Sequence, residues 1–254
     1  MGRQNILELE TGWAAAPLAT VPAWNARALR TPGAAQSPRA LALMHTCMYN
    51  AWAAYDGTAR QTVHGVAVRL PRAERDAASR AAAMGHAAHA ILAGVDADPG
   101  QDAGPLTPAG IGRTQAAALL DVRHRDQPFA LMPAEVRPAA AARPLALVAV
   151  WCDVAQRVSI RDGHDDDRDV LLFFVLANAL ADADAAARDA PCAAFAAAEV
   201  LRRFTGSDRL DAATFAATFA DVAEQAGPGP GQDLGRKIGA RVFDKARRYW
   251  QGQL

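Results

Sequence analysis

Apolar residues along this chain recur mainly at three- and four-residue spacing, the period of a helix face, and strand-like alternation is almost absent. Ser37-Pro38 predicts a helix start, Ser as N-cap and Pro at the first helical position. That helix runs to near Gly57, with Leu41, Met44, Met48, Ala51, Trp52 and Tyr55 on one face. Pro71 opens a second long helix ending at Gly94, and Val63–Pro71 before it reads as a short extended piece. Thr107-Pro108 caps a third helix reaching about Asp126. Between 127 and 144, Pro128, Pro133, Pro138 and Pro144 predict a loop or a series of turns. A helix follows from Leu145 to about Ile160. The stretch after Asp169 is apolar on all sides at first, so it should be a central, buried helix. Further helices are expected at about 192–204, 212–226 and 233–250, punctuated by Gly206, Gly227, Gly229 and Gly231. Residues 1–36, with Pro17, Pro22 and Pro32, read as an irregular N-terminal segment, and 37–254 as the helical domain. The expectation is an all-α, single-domain bundle of about eight helices.

Composition narrows the class. The abundance of Ala favours helices, because Ala loses no side-chain entropy there. The chain holds 27 basic and 27 acidic residues, so it lacks the basic excess expected of a nucleic-acid binder. Its only lysines are Lys237 and Lys245; a GC-rich bacterial source would give that bias. Cys47, Cys152 and Cys192 form no C-x-x-C pair, which suits a reduced cytoplasmic protein better than a disulfide-stapled one. The first residues lack a basic-then-apolar signal pattern, and the most apolar stretch, Val170–Leu180, is far too short to span a bilayer. A soluble, cytoplasmic protein is expected, with no nucleic-acid or membrane partner. A homodimer and a protein or small-molecule partner are left open.

Three local patterns bear on chemistry. His86 and His89 are neighbours on a helix face, a spacing that can bind a metal, and His45 with Cys47 could add ligands if the first two helices pack together. The competing role is half-buried histidines beside small Ala residues. Asp165, Asp166 and Asp169 match an aspartate motif that holds Mg²⁺ in prenyl-diphosphate enzymes. Their simpler role, with Asp167, is to cap a helix and face the positive end of its dipole. No second Mg²⁺ motif accompanies them. Cys192 at a helix start could carry a lowered pKa, but no His lies near it in sequence. His64 and His124 sit near predicted loops.

Several segments in order, VPAWNARAL (21–29), PRALALMHTCMYNAWAAYDGTA (38–59), PFALMPAEVRP (128–138), DDDRDVLLFFVLANALADADAAARDA (165–190), FAAAEVLRRFTGSD (195–208) and LGRKIGARVF (234–243), resemble the bacterial vanadium-dependent haloperoxidase-like family, relatives of the type 2 phosphatidic acid phosphatases. The resemblance implies a helical bundle and an anion site built from three clusters: Lys followed by Arg-Pro, then Pro-Ser-Gly-His, then Ser-Arg-x5-His. In that chemistry Lys and two Arg hold vanadate or phosphate oxygens by charge-assisted hydrogen bonds. One His bonds to the vanadium or phosphorus and another acts as acid or base. Here Asp189-Ala190 passes directly into Pro191-Cys192-Ala193-Ala194, where the first two clusters should stand. Pro228-Gly229-Pro230-Gly231 replaces the third, and no His follows His164. Ser79-Arg80…His86 repeats the third spacing at a place where the family has no site.

The resemblance therefore implies a scaffold that has lost its vanadate site and carries no catalytic residue of the family. No cofactor is expected and vanadate is not; the alternative is a rebuilt, metal-dependent enzyme acting on a diphosphate or small organic substrate. It would use a divalent metal at His45, His86 and His89 or at the Asp165–Asp169 cluster.

Overall fold

The computed structural model describes residues 20–31, 37–62, 67–93, 104–121, 146–186, 190–205 and 231–250. Among them lie eight α-helices: α1 (Thr20–Arg30), α2 (Pro38–Ala53), α3 (Ala77–Ala93), α4 (Pro108–Leu120), α5 (Ala146–Asp162), α6 (Asp166–Ala186), α7 (Ala190–Thr205) and α8 (Gly231–Ala246). Two 3-10 turns, Arg72–Glu74 and Arg247–Tyr249, complete the described elements, which include no strand. The all-α bundle expected from the sequence is what the chain forms. The proline-rich region 127–144 and the helix expected at 212–226 lie outside the described residues.

The helix starts follow local chemistry. Ser37 Oγ accepts the Ala40 N–H at 3.3 Å, and Thr107 Oγ1 accepts the Gly110 N–H at 3.1 Å, each with Pro next in the chain. Two expectations need correction. The segment 1–36 is not wholly irregular, because Thr20–Arg30 is helical. Pro22 falls in the first turn, where its missing N–H would have had no intrahelical partner, so it does not break the helix. The second long helix begins at Ala77 rather than Pro71. Asp76 Oδ1 accepts the Ser79 N–H at 2.8 Å and supplies the cap, while Arg72–Glu74 forms a separate 3-10 turn. Among the described residues Ala67–Leu70 pairs with no strand: the Gln61 side chain holds it instead, accepting from Val68 N at 2.7 Å and donating to Val68 O at 3.1 Å.

The α6 helix is the axis of the bundle. Val170 to Leu180 is buried on every side, as its unbroken apolar run requires. It packs on α2 along one face and on α7 and α8 along another, with α1 and α5 at its N-terminal end. Tyr49 of α2 stacks on Phe174 of α6 with centroids 4.4 Å apart, and Trp250 closes on both edge-on. Fully burying aromatic and aliphatic side chains of this kind contributes about 1.5–3 kcal/mol each. A second apolar cluster joins α2, α3 and α4 through Cys47, Ala51, Ala83, Ala87, Ile111 and Leu119. Small residues set the closest approach. Gly235 and Gly239 of α8 lie directly against the Cys192 and Ala196 carbonyls of α7, with no room for a Cβ.

Candidate functional site

A buried polar group of side chains, Ser159 and Asp169 among them, lies at the corner where α5 turns into α6. Gly163 takes φ +63°, a conformation that costs glycine little, and ends α5. The His164 N–H returns to Ser159 O at 2.9 Å and the Gly163 N–H to Ile160 O at 3.4 Å, a Schellman closure. This places His164 over the first turn of α6. Its Nδ1 lies 3.3 Å from Asp169 Oδ1, and Ser159 Oγ donates to Asp169 Oδ2 at 2.9 Å. Serine and histidine thus both address the carboxylate and not each other, so the three do not form a nucleophile–base relay.

The neighbouring aspartates are equally committed. Asp165 Oδ1 accepts the Arg168 N–H at 2.9 Å, the N-cap bond of α6. Asp166 Oδ1 accepts the Val21 N–H at 3.4 Å and so ties down the start of α1. Asp167 Oδ1 accepts Trp52 Nε1–H at 2.8 Å and pairs with Arg80 at 2.8 Å. Each carboxylate proposed as a Mg²⁺ ligand, Asp165, Asp166 and Asp169, has a protein donor. The acidic run joins α1, α2, α3 and α5 to α6. Arg80, part of the Ser79-Arg80…His86 pattern, is used in the same network.

The three histidines do not converge. His45 is 1% exposed; its Nε2 lies 3.0 Å from Asn25 Oδ1 and its ring stacks on Phe173. Burial lowers its pKa to about 3, so it stays neutral. His89 of α3 meets the Trp24 ring edge-on, with centroids 6.4 Å apart. His86 of the same helix, half-buried, borders Gly112 of α4. Among the described residues no three His, Cys, Asp or Glu side chains are grouped so as to hold a metal ion. His64 and His124 lie outside the described residues.

All three cysteines are buried. Burial pushes the Cys47 thiol far above its usual range and the Cys152 thiol up to about 12, the opposite of activation. Cys192 is fully buried in the first turn of α7, with Ala194, Ala196 and Ala197 also inside. Between α2, α3 and α6, Met44, Met48, Met84, Ala88 and Phe173 share one apolar cluster. Asn178 Nδ2 donates to Thr46 Oγ1 at 3.0 Å and to Phe174 O at 2.8 Å, while its Oδ1 is without a hydrogen-bond partner among the described residues.

Comparison of the chain with protein-family models, with curated proteins and with solved structures finds no match. Among the described residues, no helix is long and apolar enough to cross a membrane.

Two features escaped the sequence reading. Asp182, near the end of α6, is 3% exposed, and its Oδ2 has no hydrogen-bond partner among the described residues. Burial raises its pKa to about 7, against a smaller opposing pull from Lys245 of α8. A carboxyl group just past the apolar run, one turn after Asn178, was the available signal. The other is the outward face of α8 and the turn after it, where Lys237, Arg241, Lys245 and Arg248 align beside a concavity of about 510 Å³. The sequence signal there was the pairing of the only two lysines at helical spacing.

Proposed function

We propose that this chain is a shortened relative of the vanadium-dependent haloperoxidases and type 2 phosphatidic acid phosphatases that has lost its vanadate or phosphate site and acts as a non-catalytic binding or interaction protein. The observation that carries the reading is the join between α6 and α7. Only Ala187, Arg188 and Asp189 separate the two helices, and Pro191 lies in the first turn of α7, where proline is tolerated. Arg188 is followed by Asp189 and not by proline, so it does not supply the Arg-Pro pair. Cys192 is fully buried, its carbonyl against Gly235 of α8. Where Pro-Ser-Gly-His should stand, Pro191-Cys192-Ala193-Ala194 is thus a packed helix start with no cationic side chain and no histidine. The replacement at 227–231 begins outside the described residues and ends at Gly231, the buried first residue of α8.

The apolar packing between α2, α3 and α6, and the protein donors already held by Asp165, Asp166 and Asp169, support a scaffold role over a rebuilt metal-dependent enzyme. The test is halide oxidation by peroxide in the presence of vanadate. The chain should give no rate above a protein-free control; turnover at ordinary enzyme rates, about 1 s⁻¹ or more, would end this reading.

A further inference from the structure

The chain is neutral overall, yet residues 231–250 hold six Lys and Arg against two Asp. Four of those cations fall on one face. Lys237, Arg241 and Lys245 follow each other at spacings of four, so they stack along the side of α8 turned away from Gly235 and Gly239, and Arg248 extends the row from the 3-10 turn that follows. At 1.5 Å per residue the row is about 16 Å long. With Ala240 and Asp244 it lines the concavity of about 510 Å³, a volume within the range of small-ligand sites.

Neighbouring charges are already used. Asp244 Oδ1 lies 2.9 Å from Arg203 Nη1 of α7, and Arg236, off the row, pairs with Asp233 and sits over the Phe195 ring. Lys237, Arg241 and Arg248 have no ion pair or hydrogen bond among the described residues and are exposed. Favourable interaction with the helix dipole accounts for cations in the last turn only, because that effect fades within a turn. It leaves Lys237 and Arg241 unexplained.

We propose that this face of α8 binds a linear chain of phosphates, Arg241 and Arg248 gripping phosphate oxygens with their guanidinium forks and Lys237 and Lys245 adding point charges. A row of cations one turn apart suits a ligand with charge repeated along its length. Among the described residues, the lining has no aromatic ring on which nucleic-acid bases could stack and no large apolar side chain to enter a membrane or anchor a protein interface. The proposal concerns the outer face of α8, away from the α6–α7 join, and does not depend on the chain's ancestry.

The experiment is calorimetric titration of the full chain with tripolyphosphate and, separately, with ATP, at low and moderate salt. Saturable binding that weakens with salt is expected. A tighter response to ATP would assign the site to a nucleotide, and a tighter response to tripolyphosphate to a free phosphate chain; both support the proposal. The exposed double variant Arg241→Glu/Arg248→Glu, with folding checked by circular dichroism, should lose at least about tenfold in affinity. Arg157→Glu on α5 should leave binding unchanged. Absence of saturable binding to either ligand would overturn the proposal. So would equal loss in Arg157→Glu, unchanged affinity in the double variant, or tighter binding to a single-stranded oligonucleotide or to anionic vesicles.

Discussion

Replacing Asp182 with Asn should change how stability depends on pH, with a sign opposite to that of most carboxylates. Burial holds the Asp182 carboxyl protonated up to about pH 7, against an ordinary value of 3.8. The folded chain therefore binds this proton more tightly than the unfolded chain. Its contribution to stability is fully present below about pH 4 and is lost as pH rises to about 7. At about 1.4 kcal/mol per pH unit the full loss is about 4 kcal/mol, an upper figure. His45 acts in the other direction. Its pKa falls from 6.5 to about 3, so the unfolded chain binds its proton more tightly and stability is lost as pH falls below about 6.5. Between pH 8 and pH 5 that loss is about 2 kcal/mol. The wild-type slopes from the two groups oppose each other over this range. Asp182→Asn removes one of them. Urea denaturation of both proteins from pH 4 to pH 8 reads the difference. The variant should gain about 2–4 kcal/mol relative to wild type at pH 8 compared with pH 4, and its own stability should climb steadily through pH 5–6.5. A wild-type-to-variant difference that is the same at pH 4 and pH 8 would refute the assignment of a raised pKa to Asp182.

Gly112→Ala should destabilise the α3–α4 contact by about 1–3 kcal/mol. Its Cβ would lie 2.7 Å from Ala87 N and 2.8 Å from Ala83 O, backbone atoms that cannot swing aside; a thermal midpoint unchanged from wild type would contradict this packing. Asp169→Ala, which strips Ser159 and His164 of their shared acceptor, should cost about 3 kcal/mol, whereas Asp165→Ala, losing one cap, should cost about 1 kcal/mol. Equal costs in chemical denaturation would argue against the buried network. Elemental analysis of untagged protein should find no stoichiometric zinc, copper or manganese, and one metal per chain would revive the rebuilt-enzyme alternative.

Much of the architecture was legible because it rests on local chemistry. Ser37-Pro38 and Thr107-Pro108 mark helix starts through the first hydrogen bonds they allow, and the unbroken run after Asp169 marks a helix buried on all sides. The first helix was hidden because Pro22 looks like a breaker when its place within a turn is unknown. That omission also left the partner of His45 unnamed. α2 and α3 do pack together, but His45 bonds to Asn25 of the unseen α1 and does not join His86 and His89. Similarly, the aspartate run was readable as a cap at Asp165. The partners of Asp166, Asp167 and Asp169 come from Val21, Trp52, Arg80, Ser159 and His164, contacts that only the tertiary arrangement creates. Asp182 stands just past the apolar run in sequence, but its raised pKa comes from burial that only the tertiary arrangement creates.

The most direct measurement of the central claim is X-ray diffraction from crystals soaked in orthovanadate, with the anomalous signal of vanadium used to locate it. No vanadium bonded to a protein nitrogen is expected anywhere among α2, α6, α7 and the inner face of α8; occupancy on the outer row of α8 alone would agree with both proposals. A vanadium atom bonded to a histidine within the bundle would contradict the loss of the site.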